Sequence, residues 1–181
     1  MKKSITVVLV LAAMLAAGGC NSRTDESEGS VILSVTDFDG LPSRVSVNAT
    51  DLLTVDSIDI DNIPKDPNGT TSSLQNVEMR SYEVVYTRAD TGTRVPSPHV
   101  EAIFGVAPVG GTVTYDNLPI MRAQQLSNPP LTDLLIFNGG IDGETGSTVI
   151  TITFTMRFFG RTIAGDDVAT APIRFDVEFV P

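Results

Sequence analysis

STVITITFTMRF, residues 147–158, alternates apolar and polar side chains over most of its length. The apolar set consists of Ile150, Ile152, Phe154, Met156 and Phe158. The positions between them hold Thr151, Thr153, Thr155 and Arg157. A period of two sends successive side chains to opposite faces of a strand. We therefore predict a β-strand with one face in a core and the other in solvent.

The last stretch of the chain follows the same rule. Residues 173–179 alternate apolar side chains with Arg174, Asp176 and Glu178. Between the two patterns lie Gly165, Asp166 and Asp167, residue types that favour turns. The pair is therefore predicted to form a long C-terminal hairpin. A terminal strand at a sheet edge offers unpaired backbone groups to a partner strand, although its charged side chains also protect such an edge from aggregation.

Shorter patterns upstream predict further strands, separated by turn-forming residues. They cover residues 31–35, 44–49, 54–60, 76–88, 112–115 and 133–137. Within 76–88 the apolar positions change from odd to even numbers after Met79, which predicts a β-bulge near Arg80 and Ser81. Residues 118–126 are predicted to form one short helix.

About eight strands with no helix long enough to cover a sheet indicate an all-β fold. A sandwich is the simplest way to bury their apolar faces. The pattern resembles an immunoglobulin-like or fibronectin type III-like domain, with Tyr82, Val84 and Tyr86 on a central strand. It lacks the Cys-Trp-Cys signature of immunoglobulin domains because the chain has no tryptophan. We expect a single immunoglobulin-like antiparallel β-sandwich over residues 31–181.

The first twenty residues, MKKSITVVLVLAAMLAAGGC, have the layout of a secretory signal peptide: two lysines, a short apolar run and small residues. Their end, Leu15-Ala16-Ala17-Gly18-Gly19-Cys20, resembles the lipobox of bacterial lipoproteins. This resemblance implies cleavage after residue 19 and covalent lipid on Cys20, the only cysteine of the chain. Two or more acyl chains give a stable membrane anchor. By the sorting rule of that family, Asn21 favours the outer membrane if the organism has one.

We therefore expect a signal peptide (1–19), a lipidated cysteine with a flexible, polar tether (20–30), and the sandwich (31–181). The formal net charge of the chain is −10, and removal of Lys2 and Lys3 with the signal would make it −12. A surface this acidic repels nucleic acid and anionic lipid head groups. Membrane contact is accordingly expected through the lipid, and the partner is expected to be an envelope protein or a glycan.

One acidic stretch suggests a metal site. Asp/Asn-rich loops supply the hard oxygen ligands that calcium prefers, and the candidate ligands are Asp56, Asp59, Asp61 and Asp66. The EF-hand pattern fails here, because Ile63 and Pro64 stand where a ligand and a glycine belong. The alternative reading is that these residues gather because they suit turns and the wet face of a strand.

No set of catalytic residues is evident. His99, the only histidine, follows Pro98 and is predicted to lie in a solvated loop. No Gly-x-Ser-x-Gly motif occurs, and one histidine without a free cysteine does not make a typical zinc site. The sequence therefore favours a non-catalytic, lipid-anchored binding or structural module. The alternative is a calcium-dependent module that binds a glycan or small ligand through the acidic loops.

Overall fold

The computed structural model describes residues 29–48 and 52–181. These residues form nine strands: β1 (Val31–Asp39), β2 (Arg44–Ser46), β3 (Leu53–Pro64), β4 (Val77–Arg88), β5 (His99–Ala107), β6 (Thr112–Met121), β7 (Ile150–Thr162), β8 (Asp167–Ala169) and β9 (Ile173–Val180). One short helix, α1, spans Ala123–Leu126. Single 3₁₀ turns span Ser73–Gln75, Leu131–Leu134 and Ile136–Asn138. The prediction of an all-β fold is confirmed.

The strands form two sheets packed as a sandwich. One sheet has the order β1-β3-β6, and the other has the order β2-β9-β7-β4-β5, with β8 paired to β7. The sheets are antiparallel except where β2 pairs with β9 in parallel.

Aromatic side chains from the larger sheet fill much of the core. Tyr82, Phe154, Phe158 and Phe179 are fully buried. The hydroxyl of Tyr82 donates to the carbonyl oxygen of Pro119 at 2.5 Å, and the hydroxyl of Tyr86 donates to that of Ile120 at 2.6 Å. Both acceptors belong to β6 of the smaller sheet, so two buried tyrosines join the sheets by hydrogen bonds as well as by apolar contact.

The strongest sequence patterns are confirmed. In β7 every second side chain is buried along the whole strand, and β7 pairs antiparallel with β9. The strand β4 lies inside its sheet between β7 and β5, and both of its registers shift between Met79 and Ser81. That shift is the predicted bulge.

Other predictions are wrong. Leu118 to Met121 belong to β6, because pairing with β3 buries Leu118 and Ile120 at strand spacing, and the helix begins only at Ala123. Residues 133–137 form 3₁₀ turns and not a strand, since Leu131 and Leu134 are buried three positions apart. The turn around Gly165 leads into β8 before the chain reaches β9.

The strand β5 is absent from the sequence prediction for a physical reason. Its inward residues include Ile103 and Ala107, but its outward residues are also apolar. Burial therefore alternates along β5, but side-chain polarity does not, and the sequence shows no period of two there.

The two ends of the sandwich differ. We call one of them the near end. There, Val31 pairs with Pro64, and Val77 pairs with both Ala107 and Thr162. At the far end, Arg88 pairs with Ile152 and Ile150 pairs with Phe179. At about 3.3 Å per residue, the 12 residues of β4 separate the ends by roughly 36 Å. The described sequence enters at the near end.

Candidate functional site

The far end carries a long connection between β6 and β7. It runs from residue 122 to residue 149, which is 28 residues, and contains α1 and two of the 3₁₀ turns. Connections longer than about 15 residues are uncommon in compact domains and are often functional. This segment, which we call the far-end platform, is the first place to look for a site.

Arg88 joins the platform to the sheet. This last residue of β4 donates from Nη2 to Oδ2 of Asp142 at 2.8 Å and from Nε to Oδ1 of Asp90 at 2.7 Å. The Arg88 side chain is 2% exposed and that of Asp142 is 0% exposed. The same Asp142 oxygen accepts a hydrogen bond from the hydroxyl of Thr145 at 2.7 Å. A buried charge is tolerated when it is paired and hydrogen-bonded in this way.

A second arginine connects the platform to the loop between β4 and β5. Arg94 Nη2 lies 2.7 Å from Oδ2 of Asp133. Glu144 Oε2 accepts hydrogen bonds from the backbone N–H groups of Thr93 and Arg94, both at 2.8 Å. We refer to Arg88, Asp90, Arg94, Asp133, Asp142 and Glu144 as the arginine network. It fastens two loops that have no strand ladder between them.

The network shifts the acidity of its carboxyl groups. Burial alone would raise the pKa of Asp142, but hydrogen bonds from Arg88, Thr145 and the Glu144 backbone outweigh it and hold the pKa at about 2. Backbone hydrogen bonds from Arg94, with those from Thr93, lower the pKa of Glu144 to about 2. Both groups are therefore ionised at neutral pH, and they are engaged within the network.

The platform presents two large apolar side chains to solvent. Ile136 is 79% exposed and Phe137 is 81% exposed, whereas Leu131 and Leu134 just before them are buried. Their 3₁₀ turn ends at Gly139, whose φ of 111° lies in the left-handed region that favours glycine. We call Ile136 and Phe137 the apolar tip. Exposed apolar groups on a braced loop are typical of an interaction site.

A second polar cluster surrounds His99. This residue is 3% exposed and opens β5, so the prediction of a solvated loop histidine is wrong. Its Nε2 lies 3.2 Å from the hydroxyl of Tyr82 and 3.1 Å from Oε2 of Glu101. Nη2 of Arg122 lies 3.5 Å from the same Glu101 oxygen. Burial lowers the pKa of His99 and keeps the ring neutral at pH 7. We call these four residues the histidine cluster.

The four candidate calcium ligands are only partly brought together. Asp59 and Asp61 lie on β3, and each accepts a hydrogen bond of 2.6 Å from a threonine hydroxyl of β6. Asp56 is exposed on the same strand, and Asp66 is exposed in the turn that follows it. Within residues 29–48 and 52–181, no group of three or more His, Cys, Asp or Glu side chains is arranged to hold a metal ion.

Calcium binding through these aspartates stays a prediction, and calorimetric titration of the protein with calcium tests it. The prediction would be rejected if millimolar calcium produced no heat of binding and no rise in melting temperature.

The lipidation candidate, Cys20, lies outside the described residues, as do the proposed signal peptide and most of the tether. No helix in the described part of the chain is both long and apolar enough to cross a bilayer.

Sequence reasoning missed the arginine network and the apolar tip. Arg88 and Asp142 are 54 positions apart in the chain, and Arg94 and Asp133 are 39 apart. No local pattern reports such a pairing. The available signal was the length of the turn-rich segment before residue 147, which holds Pro129, Pro130, Gly139 and Gly140.

Fold and site together define an all-β sandwich with a long, ion-paired platform at one end. Comparison with protein-family models, with curated proteins and with solved structures found no match to this chain.

Proposed function

We propose that this protein is a lipid-anchored, non-catalytic binding module of the bacterial cell envelope, and that its apolar tip docks a protein partner. The observation that carries the proposal is the exposure of Ile136 and Phe137 on a platform held by buried ion pairs. Aromatic side chains often act as the anchors of protein interfaces. A braced loop also loses less conformational freedom on binding than a mobile one.

The geometry separates anchoring from binding. The tether enters at the near end, where the backbone N–H of Lys65 donates to the carbonyl of Ser30 at 3.1 Å. The tip belongs to the far end, roughly 36 Å away at strand spacing. A lipid on Cys20 therefore leaves the tip accessible.

The charged groups of the far end support a binding role over a catalytic one. Asp142 is buried and Arg88 nearly so, and both are paired within the arginine network. Glu144 accepts three hydrogen bonds from Thr93 and Arg94. These groups brace the loop and are already engaged, whereas a catalytic acid or base has to reach a substrate.

Site-specific photo-crosslinking tests the docking proposal. A photoreactive amino acid in place of Phe137 in the intact, membrane-bound protein is expected to capture one recurrent envelope protein. The Phe137→Ser variant is expected to lose that protein in an affinity purification. Leu74, which is 54% exposed at the near end, gives the matched control, Leu74→Ser. Equal recovery by the Phe137→Ser and control variants would contradict the proposal.

Metabolic labelling with a fatty acid tests the anchor separately. Label is expected on the unsubstituted protein and not on the Cys20→Ser variant, which is also expected to leave the membrane fraction. Retained label, or continued membrane association of that variant, would overturn the assignment of Cys20.

A further inference from the structure

The strand β5 ends the larger sheet with an apolar outward face. Among residues 29–48 and 52–181 its one strand partner is β4, so one of its two sides has no strand neighbour within that part of the chain. Outward-pointing Val100 is 60% exposed, Phe104 is 89% exposed and Val106 is 51% exposed, with exposed Ala102 among them. None of these four side chains carries a charge.

The other sheet edges carry the usual protection. The opposite edge strand of the same sheet, β2, has three residues and begins with Arg44. In the smaller sheet, β1 holds Asp37 and Asp39, and β6 holds Asp116 and Pro119. Short length, charge and proline are the features by which proteins keep edges from pairing. The outward face of β5 has neither charge nor proline. The strand does carry Glu101 on its inward face and a register shift against β4 between Gly105 and Ala102, features that also disfavour edge pairing.

The charge distribution limits where a second copy can dock. The chain has a formal net charge of −10, yet residues 102–115 contain no charged side chain. A second copy of so acidic a chain is repelled from most of its surface. The neutral edge of β5 is where that repulsion is weakest and where apolar area is available to both copies.

We propose that β5 pairs antiparallel with β5 of a second copy, about a two-fold axis at Ile103. This register places Val100 opposite Val106 and Ala102 opposite Phe104, so all four outward apolar side chains of each copy find apolar partners. On the inward face, Glu101 lies opposite Gly105, where the Tyr115 hydroxyl occupies the space that a Cβ would take. A shift by one residue would set outward faces against inward ones.

Electrostatic repulsion across this pairing is small. Along the outward face, Val106 is flanked on β4 by Glu78, and Val100 is flanked by Glu83. In the proposed register, Glu83 of one copy and Glu78 of the other are three strand spacings apart, which is about 14 Å. That distance exceeds the screening length of about 8–10 Å at physiological ionic strength.

The pairing is independent of the proposed function. Antiparallel strands place the near end of one copy beside the far end of the other, so both apolar tips stay exposed at opposite ends of the pair. Partner capture through Phe137 and self-association through β5 can therefore each fail without the other.

Disulfide crosslinking in cells that make the full-length protein tests the pairing and its register. Two versions are produced together, one with Ala102→Cys and one with Phe104→Cys. Opposite residues of antiparallel strands have Cα atoms about 4.5–5.5 Å apart, within the range of a disulfide. A reducible dimer is expected from the mixture, with about tenfold less from either version alone, because identical positions then lie beyond about 7 Å.

Two further strains complete the experiment. Val106→Glu in both versions is expected to abolish the dimer, whereas Ile163→Glu, at a 46% exposed site near the end of β7, is expected to preserve it. Thermal melting of both variants checks that they fold. The unsubstituted chain reports any dimer formed through Cys20. No dimer from the mixture, or equal dimer from the mixture and from each version alone, would overturn the proposal.

Discussion

The arginine network and the histidine cluster both hold polar groups away from water, but they stabilise those groups in different ways. The network uses full charges to fasten loops, with Arg88 and Asp142 almost completely buried. The cluster sets a neutral histidine and tyrosine beside one charged pair, Glu101 and Arg122, and all of its residues but Arg122 lie on β4 and β5, which a backbone ladder already holds. The difference teaches that the far-end platform depends on its ion pairs, whereas β4 and β5 depend on their ladder.

Breaking the network is expected to have the largest effect on stability. Arg88→Met leaves the buried Asp142 carboxylate unpaired, and loss of one partner of a buried pair costs about 3–5 kcal/mol. Urea denaturation at pH 7 measures the change. Arg174→Met, at an exposed position of β9, is the matched control and should stay within about 0.5 kcal/mol of the unsubstituted protein. Equal losses in the two variants would refute the structural role of the network.

Removing one hydroxyl from the histidine cluster is expected to cost less. Tyr82→Phe leaves the Pro119 carbonyl and the His99 ring without their hydroxyl partner, which costs about 1–3 kcal/mol. Tyr115 supplies the control, since its hydroxyl is buried and has no hydrogen-bond partner among the described residues. Tyr115→Phe should therefore be neutral or stabilising. Denaturation curves that show the same loss for both variants would contradict this account.

The two arrangements should also lose stability in different pH windows. The pKa of His99 is lowered by burial from an ordinary value of 6.5, so the unfolded chain binds the proton first, and stability is lost as pH falls below about 6.5. The pKa of Asp142 falls from 3.8 to about 2, so its contribution is complete above pH 4 and is lost as pH falls toward 2.

Denaturation curves between pH 8 and pH 2 test these windows. His99→Gln should remove the upper phase and Asp142→Asn should reduce the lower one. An upper phase that persists in the His99→Gln variant would show that another group titrates there.

Substitution at the apolar tip is expected to have the smallest effect on stability. Phe137 is 81% exposed, so Phe137→Ser should change the free energy of unfolding by no more than about 0.5 kcal/mol. Its effect belongs to partner binding. A large loss of stability in this variant would place Phe137 in the structural framework, and the melting temperature is sufficient to distinguish the two outcomes.

The sequence was informative wherever one face of a strand is buried and the other wet. The strands β7 and β9 and the bulge after Met79 are visible because polarity follows burial at those positions. The same rule failed for β5, whose outward residues are apolar although they are exposed, and it misplaced His99, which Tyr82 of β4 and Glu101 contact. The candidate site could not be predicted from the sequence, because Arg88 and Asp142 are brought together only by the tertiary fold.

The parallel pairing of β2 with β9 has a consequence for biosynthesis. Arg44 pairs with Glu178, so the partners are 134 positions apart, 178 minus 44. A ribosome makes the first of them long before the second, and contacts of such long range form late and slowly. Until the eight residues of β9, Ile173–Val180, are available, β2 lacks the strand it pairs with and β7 lacks a neighbour on one side. The nascent chain thus stays short of its native state until β9 has been made.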